Sequence, residues 1–267
     1  MMRSLFNKIK TLYREKQRGQ ETTRSILLRG LFWMNRWRYD RLRVMEEDWD
    51  YLIILDACRY DVFRDVNTIQ GTLTKRYSAG TSTSEWVKEN FSGPYYDVVY
   101  ISANPFLSDY LFEKWLGRPN PFFLFENVWM YGWDDELRAV HPREVNRVAL
   151  RLLERYGDKR MIIHYLQPHY PYISEVTNRR IREAEDLIEL VNLLRSGKVD
   201  AEDLKKVYVE NLKLVLKYVG ELVEVLPQSK IVLSADHGEC FGEYGIYSHP
   251  SQLYIKQLME IPWLEIG

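Results

Sequence analysis

Short apolar runs bounded by polar residues recur along the chain, and this is typical of strands that are buried on both faces. They lie at 51–55, 98–102, 161–166 and 231–234. Helical patterns separate them, over Glu85–Phe91, Pro142–Tyr156 and Ala201–Leu226. In the last of these, apolar residues recur at three- and four-residue spacing, which predicts one buried stripe. The alternation predicts an α/β fold with a mostly parallel central sheet and helices on both faces.

Two stretches lack a clear period. Asn104–Trp133 is rich in Phe, Trp, Pro and Gly, and Glu175–Val199 is dense in charge. Both are expected to be irregular insertions.

Carboxylates and an imidazole follow the first and last apolar runs directly. Asp56 ends the first run, and Asp236 and His237 end the last. Because the carboxyl ends of parallel strands meet at one edge of a sheet, these side chains are expected to converge. Either Asp alone is more often a helix cap or a turn former. Together the three predict one divalent metal ion, for which zinc, manganese, magnesium and calcium all remain open.

Four consecutive hydroxyls precede the first predicted helix, at residues 81–84. One interpretation is a capping box from Ser82 to Glu85. The other is a nucleophile, because a hydroxyl at a helix N-terminus lies where backbone N–H groups and the helix dipole stabilise phosphoryl charge. A neighbouring metal ion would lower the pKa of such a hydroxyl.

Histidines add to the chemistry at two places. His169 lies just after a predicted strand between Pro168 and Pro171, and it is a candidate for binding an anion. His249 lies on a turn-rich loop that is expected to fold back over the metal. His164, within the strand, and His141, at a helix start, receive structural interpretations.

Composition and charge limit the alternatives. A chain of 267 residues, 46% hydrophobic and 28% charged, predicts one large globular domain. We expect no helix to span a membrane, since no run of 18 apolar residues occurs, and no secretory signal, since Arg and Lys interrupt the opening segment. Cys58 and Cys240 do not make a disulfide framework and are interpreted as buried thiols. A cytoplasmic location, including the inner face of the membrane, is therefore expected.

Charge is distributed unevenly around a net value of −1. Residues 1–44 carry 12 Lys and Arg against 3 acids, a net charge of +9, so we divide the chain into a basic, aromatic arm at 1–44 and a catalytic domain at 45–267. The arm predicts either binding to an anionic membrane surface or a helix packed on the domain. Nucleic-acid binding is not expected, because no recognisable nucleic-acid module accompanies the charge.

The order of these motifs resembles the alkaline phosphatase superfamily, in its sulfatase-like branch with phosphonate monoester hydrolases and lipoteichoic acid synthases. The resemblance runs from about residue 50 to the C-terminus. It is carried by DACRYD at 56–61, GTSTSE at 80–85, PHYPY at 168–172 and DHGE at 236–239. It implies a three-layer sandwich in which Asp56, Asp236, His237 and the nucleophile oxygen bind the metal.

The resemblance also implies roles for individual residues. It favours Thr81 as nucleophile and metal ligand, with Ser82 and Thr83 as alternatives. His169 and His249 would contact the anionic oxygens of the substrate. Arg59, in the D-x-x-R-x-D segment, is a further catalytic candidate.

Departures from the family pattern narrow the chemistry. No Pro or Arg follows the hydroxyls as it does in sulfatases, Ala57 replaces the second acid of the usual Asp pair, and His169 replaces an Asp of the two-zinc enzymes. These differences favour one metal ion and an unmodified nucleophile.

Three functions remain open. The first is a metal-dependent phosphoester hydrolase or phosphotransferase that acts on a substrate such as a surface glycan or a lipid-linked phosphate. The second is a sulfatase-like hydrolase of sulfate esters. The third is a noncatalytic module that binds an anion or a membrane.

Overall fold

The computed structural model describes residues 30–175 and 179–267. Within them, seven strands form one central sheet in the order β2-β11-β8-β1-β7-β3-β4. The pairs β1–β7, β1–β8, β3–β7 and β3–β4 are parallel, and β11 runs antiparallel to both β2 and β8.

The elements have the following bounds. The sheet strands are β1 Tyr51–Asp56, β2 Thr72–Tyr77, β3 Tyr95–Ser102, β4 Phe122–Asn127, β7 Arg160–Pro168, β8 Ile231–Ala235 and β11 Glu260–Ile266. Short strand pairs are β5 Trp133–Asp134 with β6 Ala139–Val140, and β9 Cys240–Phe241 with β10 Tyr247–Ser248. The α-helices are α1 Tyr60–Val66, α2 Thr83–Asn90, α3 Asp109–Leu116, α4 Pro142–Tyr156, α5 Arg179–Glu183, α6 Leu187–Arg195, α7 Ala201–Val223 and α8 Lys256–Met259. Short 3₁₀ turns cover Trp33–Trp37, Val44–Glu46, Val128–Met130 and Glu243–Gly245.

The three central strands are the apolar runs that the sequence predicted. In β1 and β8 every residue is buried, and β1 lies between β7 and β8 with Ile53 opposite Ile163 and Leu233. Continuous apolar runs are required here because helices cover both faces of a parallel sheet. The predicted α/β class is confirmed.

Adjacent residues of β7 identify the two covered faces. The Tyr165 hydroxyl donates to Oδ1 of Asn146 on α4 at 2.5 Å. The ring of His164, one residue earlier, lies edge-on to Trp86 on α2 with centroids 6.0 Å apart. Because successive side chains of a strand point to opposite faces, α4 and α2 cover opposite sides of the sheet.

The prediction that two stretches are irregular insertions is wrong. Residues 104–133 contain α3 and β4, and residues 175–199 contain α5 and α6. The Phe122 ring of β4 packs against Phe91 at 4.9 Å and Tyr100 at 4.8 Å, so tertiary contacts between aromatic rings form this strand where no alternating pattern predicts it.

The C-terminal strand β11 was also not predicted. It contains Pro262, which cannot donate a hydrogen bond to a neighbouring strand. The Pro262 carbonyl accepts the Ser234 hydroxyl at 2.7 Å, so a side chain of β8 takes part in holding this pair of strands.

Part of the predicted arm belongs to the domain. The Leu42 N–H donates to the Tyr77 carbonyl at 2.8 Å, and the Val44 N–H donates to Asn90 Oδ1 at 2.8 Å. Both Leu42 and Val44 are buried in the main core. The rest of the arm up to residue 29 lies outside the described residues. No helix in the described part of the chain is both long enough and apolar enough to cross a bilayer.

Candidate functional site

The carboxyl ends of four parallel strands bring polar side chains together. Asp56 ends β1 and Asp236 follows β8, as predicted, and both are buried. His164 on β7 joins them, with ligand atoms of the three residues within 4.8 Å of one another. Asn104, just beyond β3, donates from Nδ2 to Asp56 Oδ2. The convergence follows from the parallel order β8-β1-β7-β3.

Asp236 is held by donors on both of its oxygens. Oδ1 accepts the backbone N–H groups of Ala57 at 3.0 Å and His237 at 2.9 Å, while Oδ2 accepts the Thr83 hydroxyl at 2.7 Å. Ala57 reaches this position in the left-handed region, with φ 59°, and the Tyr208 hydroxyl donates to its carbonyl at 2.7 Å. The turn after β1 therefore holds the Asp236 carboxylate at the end of that strand.

Hydrogen bonding fixes the orientation of His237. Nδ1 lies 2.8 Å from the Gly238 carbonyl, an acceptor only, so this nitrogen carries the proton. Nε2 faces the acids, 3.4 Å from Asp236 Oδ2 and 3.7 Å from Asp56 Oδ1. Gly238 is required beside it, because an added Cβ would lie 2.0 Å from the Gln257 carbonyl oxygen.

The hydroxyl that contacts this cluster belongs to Thr83, the first residue of α2. Its Oγ1 lies 2.7 Å from Asp236 Oδ2 and 3.3 Å from His237 Nε2. The sequence favoured Thr81, with Thr83 as an alternative. The Thr81 hydroxyl lies instead between Glu85 Oε2 at 3.0 Å and the Pro250 carbonyl at 3.1 Å. This geometry corrects the preference for Thr81.

The predicted capping box from Ser82 to Glu85 is also wrong in register. Ser82 is the N-cap residue of α2, but its side chain makes no capping hydrogen bond. Glu85 accepts instead from the Thr81 N–H at 2.9 Å. Ser82 Oγ lies 2.9 Å from Ser251 Oγ, so this residue joins the loop after β10.

Gly80 lets the chain that leads into α2 pack tightly on the first turn of that helix. An added Cβ would lie 2.4 Å from Glu85 Cβ and 2.7 Å from the Trp86 nitrogen. This close approach constrains the path of the backbone through residues 80–83, which carry the candidate hydroxyls.

A second group lies beside the first. His169, Glu239 and His249 are buried and offer ligand atoms within 4.8 Å of one another. The His249 ring centroid lies 4.5 Å from that of His237 and 5.0 Å from that of His169. His249 Nδ1 lies 3.1 Å from Glu239 Oε2. The structure therefore brings His169 and His249 to the predicted region, together with Glu239, which was not a candidate.

Arg59 lies at the rim, engaged by protein groups. It forms a bidentate pair with Asp61, and Nη1 donates to Glu243 Oε1 at 2.5 Å and to the Glu239 carbonyl at 3.2 Å. Its guanidinium lies over the Phe241 ring at 4.7 Å. With these contacts the side chain holds the loop at 239–243 against α1. The catalytic role expected for Arg59 stays a prediction.

Burial acts differently on two groups of the site. Burial raises the pKa of Asp236, but the His237 imidazole and the hydrogen bonds from Thr83 and Ala57 outweigh it, so that the pKa lies below its usual value. Burial lowers the pKa of His164 to about 4. The cluster therefore contains a carboxylate and a neutral imidazole at neutral pH.

The donor set fits a divalent metal ion. Asp56, Asp236 and the lone pair of His237 Nε2 converge with the Thr83 oxygen, and carboxylate, imidazole and hydroxyl are ordinary ligands of such ions. His164 Nε2 is buried and, among the described residues, has no hydrogen-bond partner. A buried nitrogen of this kind is costly unless a partner binds it.

Sequence reasoning missed Asn104 and His164 as members of this cluster. A usable signal existed for Asn104, because it follows β3 just as Asp56 ends β1. His164 lies inside a strand, where only the face of the sheet decides whether a side chain enters the site. Both cysteines are buried and unpaired in a disulfide, as expected, and His141 caps α4 through Nδ1 at 3.2 Å from the Arg143 nitrogen.

Comparison with solved structures finds similar folds. The C-terminal periplasmic domain of a phosphoethanolamine transferase from Campylobacter jejuni is 16% identical, with a TM-score of 0.51 over 81% of this chain and 78% of that one. An alkaline phosphatase superfamily protein from Vibrio parahaemolyticus is 14% identical, with a TM-score of 0.53 over 83% and 60%. A lipoteichoic acid synthase from Listeria monocytogenes is 12% identical, with a TM-score of 0.50 over 80% and 64%. No protein-family profile and no curated protein matches the sequence.

These similarities contradict the expected cytoplasmic location, since the Campylobacter jejuni domain is periplasmic. The expectation was wrong because it rested on the absence of a spanning run, a signal-like segment and a disulfide framework, and such absences do not determine a compartment. At the level of the fold, the motifs and the structure agree: the chain has the fold of the alkaline phosphatase superfamily.

Proposed function

We propose that this protein is a metal-dependent phosphotransferase or phosphoester hydrolase with Thr83 as its nucleophile. The observation that carries the proposal is the position of Thr83 Oγ1, 2.7 Å from Asp236 Oδ2 at the first residue of α2. A hydroxyl there combines a proton acceptor with the N–H groups of a helix N-terminus, which favour phosphoryl oxygens.

One divalent ion would be held by Asp56, Asp236, His237 and the Thr83 oxygen. When bound, it would lower the pKa of the hydroxyl and withdraw charge from the phosphoryl oxygens. Two carboxylates with one imidazole suit zinc or manganese better than calcium, which prefers oxygen ligands throughout.

The Thr83 oxygen forms a new bond to phosphorus, and the bond from phosphorus to the leaving oxygen breaks. Asp236 Oδ2 accepts the hydroxyl proton, and the leaving alcohol takes up one proton, so charge and atoms balance. In a second step, the oxygen of water or of an acceptor alcohol bonds to phosphorus and the bond from phosphorus to Thr83 Oγ1 breaks. The proton that the acceptor releases returns to Oγ1, so the Thr83 hydroxyl reforms. Water as acceptor makes the protein a hydrolase, and an alcohol makes it a transferase.

His169 and His249 would bind the anionic or leaving oxygens. Nδ1 of His249 faces Glu239 Oε2, and Nδ1 of His169 faces the Tyr170 carbonyl, so each Nδ1 carries a proton. These contacts orient both rings, and the role proposed for each ring is a hydrogen bond to an oxygen of the substrate.

The proposed substrate is a phosphoester, with a surface glycan or a lipid-linked phosphate as the candidate carriers. We also propose that the basic arm of residues 1–44 brings the domain to an anionic membrane surface. Its net charge of +9 supports this, since juxtamembrane basic segments are attracted to anionic lipids.

Substitution of single hydroxyls tests the proposal. Turnover of an aryl phosphodiester by the full chain should fall roughly a hundredfold or more in Thr83→Ala. Ser82→Ala is the matched control and should keep most activity. Mass spectrometry of enzyme quenched during turnover should find the phosphoryl adduct on Thr83.

Other outcomes would separate the parts of the proposal. An adduct on Thr81 would restore the assignment made from the sequence and keep the covalent mechanism. Turnover with no adduct on any hydroxyl at 81–84 would exclude that mechanism. Faster turnover of aryl sulfates than of phosphodiesters would favour the sulfatase-like alternative.

A further inference from the structure

The segment Leu31–Trp37 presents apolar side chains to solvent. Leu31, Met34 and Trp37 are each exposed by 70% or more, and Trp33 by 43%. The 3₁₀ turn Trp33–Trp37 has no buried residue. An exposed cluster of this size is unusual on a surface that meets only water. These four side chains are called the apolar face below.

Cations accompany the apolar face. The Arg36 guanidinium lies 4.1 Å from the Trp33 ring centroid and 4.2 Å from that of Trp37. Arg38 follows, exposed. Two further arginines, Arg41 and Arg43, pair with Glu89 at 3.6 and 3.2 Å. Indoles with interleaved arginines suit the headgroup region of an anionic bilayer.

Contacts fix the apolar face beside the candidate site. Phe32 packs on a small core that is formed by β9, the loops around β9 and β10, and α8, and its ring centroid lies 5.3 Å from that of Tyr244. Asn35 Nδ2 donates to the Tyr254 carbonyl at 3.4 Å. These loops carry Glu239 and His249.

The chain just beyond the segment reaches the loop before α2. Arg41 Nη1 donates to the Ala79 carbonyl at 3.1 Å, and Arg41 forms a bridge to Tyr77. Thr83 lies four residues after Ala79. Residues 31–41 therefore run along both loops that border the site.

We propose that the apolar face docks on an anionic lipid surface and turns the site toward a phosphoester carried by a lipid in that surface. This inference rests on the proposed function and names its substrate class. Exposed Tyr244, at the rim of the same loops, extends the face toward the site. Charge complementarity selects the lipid surface, because the arm carries a net charge of +9 while the whole chain carries −1.

The test uses the full chain with two vesicle types, phosphatidylcholine alone and phosphatidylcholine mixed with phosphatidylglycerol. Binding should favour the anionic vesicles and weaken as salt rises. The double substitution Trp33→Ser with Trp37→Ser should lower binding about tenfold or more. Tyr96→Ser is the matched control, since Tyr96 is exposed by 73% and Trp37 by 71%. Tyr96 lies near the start of β3, at the opposite edge of the sheet from the site.

Activity gives a second measurement. The double variant should lose turnover of a phospholipid in vesicles and keep turnover of a soluble aryl phosphodiester. Binding that is unchanged by the double substitution, or equal on both vesicles, would overturn the docking face. A dimer in vesicle-free solution that dissociates on Trp37→Ser would assign the face to a second copy and overturn the proposal.

A different result would contradict the proposed function alone. If no variant and no wild-type protein turns over any phosphoester, while anionic vesicle binding depends on Trp33 and Trp37, the catalytic proposal and the substrate class fall and the docking face stands.

Discussion

Replacing Arg59 with Met should loosen the rim of the site and destabilise the fold. The guanidinium donates to both oxygens of Asp61 at 2.9 and 2.6 Å, to Glu243 at 2.5 Å and to the Glu239 carbonyl at 3.2 Å. Met keeps part of the side-chain volume over Phe241 and removes every donor. The perturbation is therefore electrostatic rather than steric.

The magnitude follows from the exposure of the partners. Each hydrogen bond to a charged group contributes about 1.5–3 kcal/mol to stability when water does not replace the lost donor. Only 8% of the Arg59 side chain is exposed, but 49% of Asp61 and 26% of Glu243 are, so water replaces part of what is lost. We expect the free energy of unfolding to fall by about 3 kcal/mol, which is at the low end for a broken buried ion pair. The midpoint of thermal unfolding should fall by roughly 6–12 °C.

Urea unfolding of the full chain, followed by circular dichroism, measures the effect. Arg64→Met is the matched control, because Arg64 pairs with Asp65 at the surface, where both side chains are more than half exposed. Its midpoint should stay at the wild-type value. If Arg59→Met shifts the midpoint no further than Arg64→Met does, the role of Arg59 in holding the loop is refuted.

Two further predictions concern metal and acid. Protein purified without chelator should contain a divalent ion, and Asp236→Asn should lose most of it by elemental analysis, whereas equal and negligible contents in both proteins would contradict the metal site. Burial raises the pKa of Asp61, but Arg59 outweighs it and holds the pKa below the usual 3.8. The stability that this pair contributes is present above pH 3.8 and is lost as pH falls through the lower folded value. Asp61→Asn should therefore lose less stability than wild type between neutral and acidic pH in urea titrations, and parallel losses would rule out the pair as a source of acid sensitivity.

The centre of the fold and the meeting of the acids at 56 and 236 were predictable from the sequence. Strands buried on both faces must be apolar throughout, so β1, β7 and β8 were recognisable without neighbours. Because parallel strands end at one edge, the acids at 56 and 236 were expected to meet, and they do. Edge elements were not recognisable: β4 depends on aromatic contacts with Phe91 and Tyr100, and β11 contains a proline.

Contacts between distant parts of the chain determine which hydroxyl faces the acids and what Arg59 contacts. Thr81 and Ser82 precede α2, which begins at Thr83, so no helical period relates the hydroxyls at 81 and 83. Glu85 on α2 and the Pro250 carbonyl on a distant loop hold the Thr81 hydroxyl, whereas the Thr83 hydroxyl donates to Asp236. Local sequence carries no record of a carbonyl 169 residues away, and therefore the resemblance favoured Thr81 although the folded chain places Thr83 against Asp236.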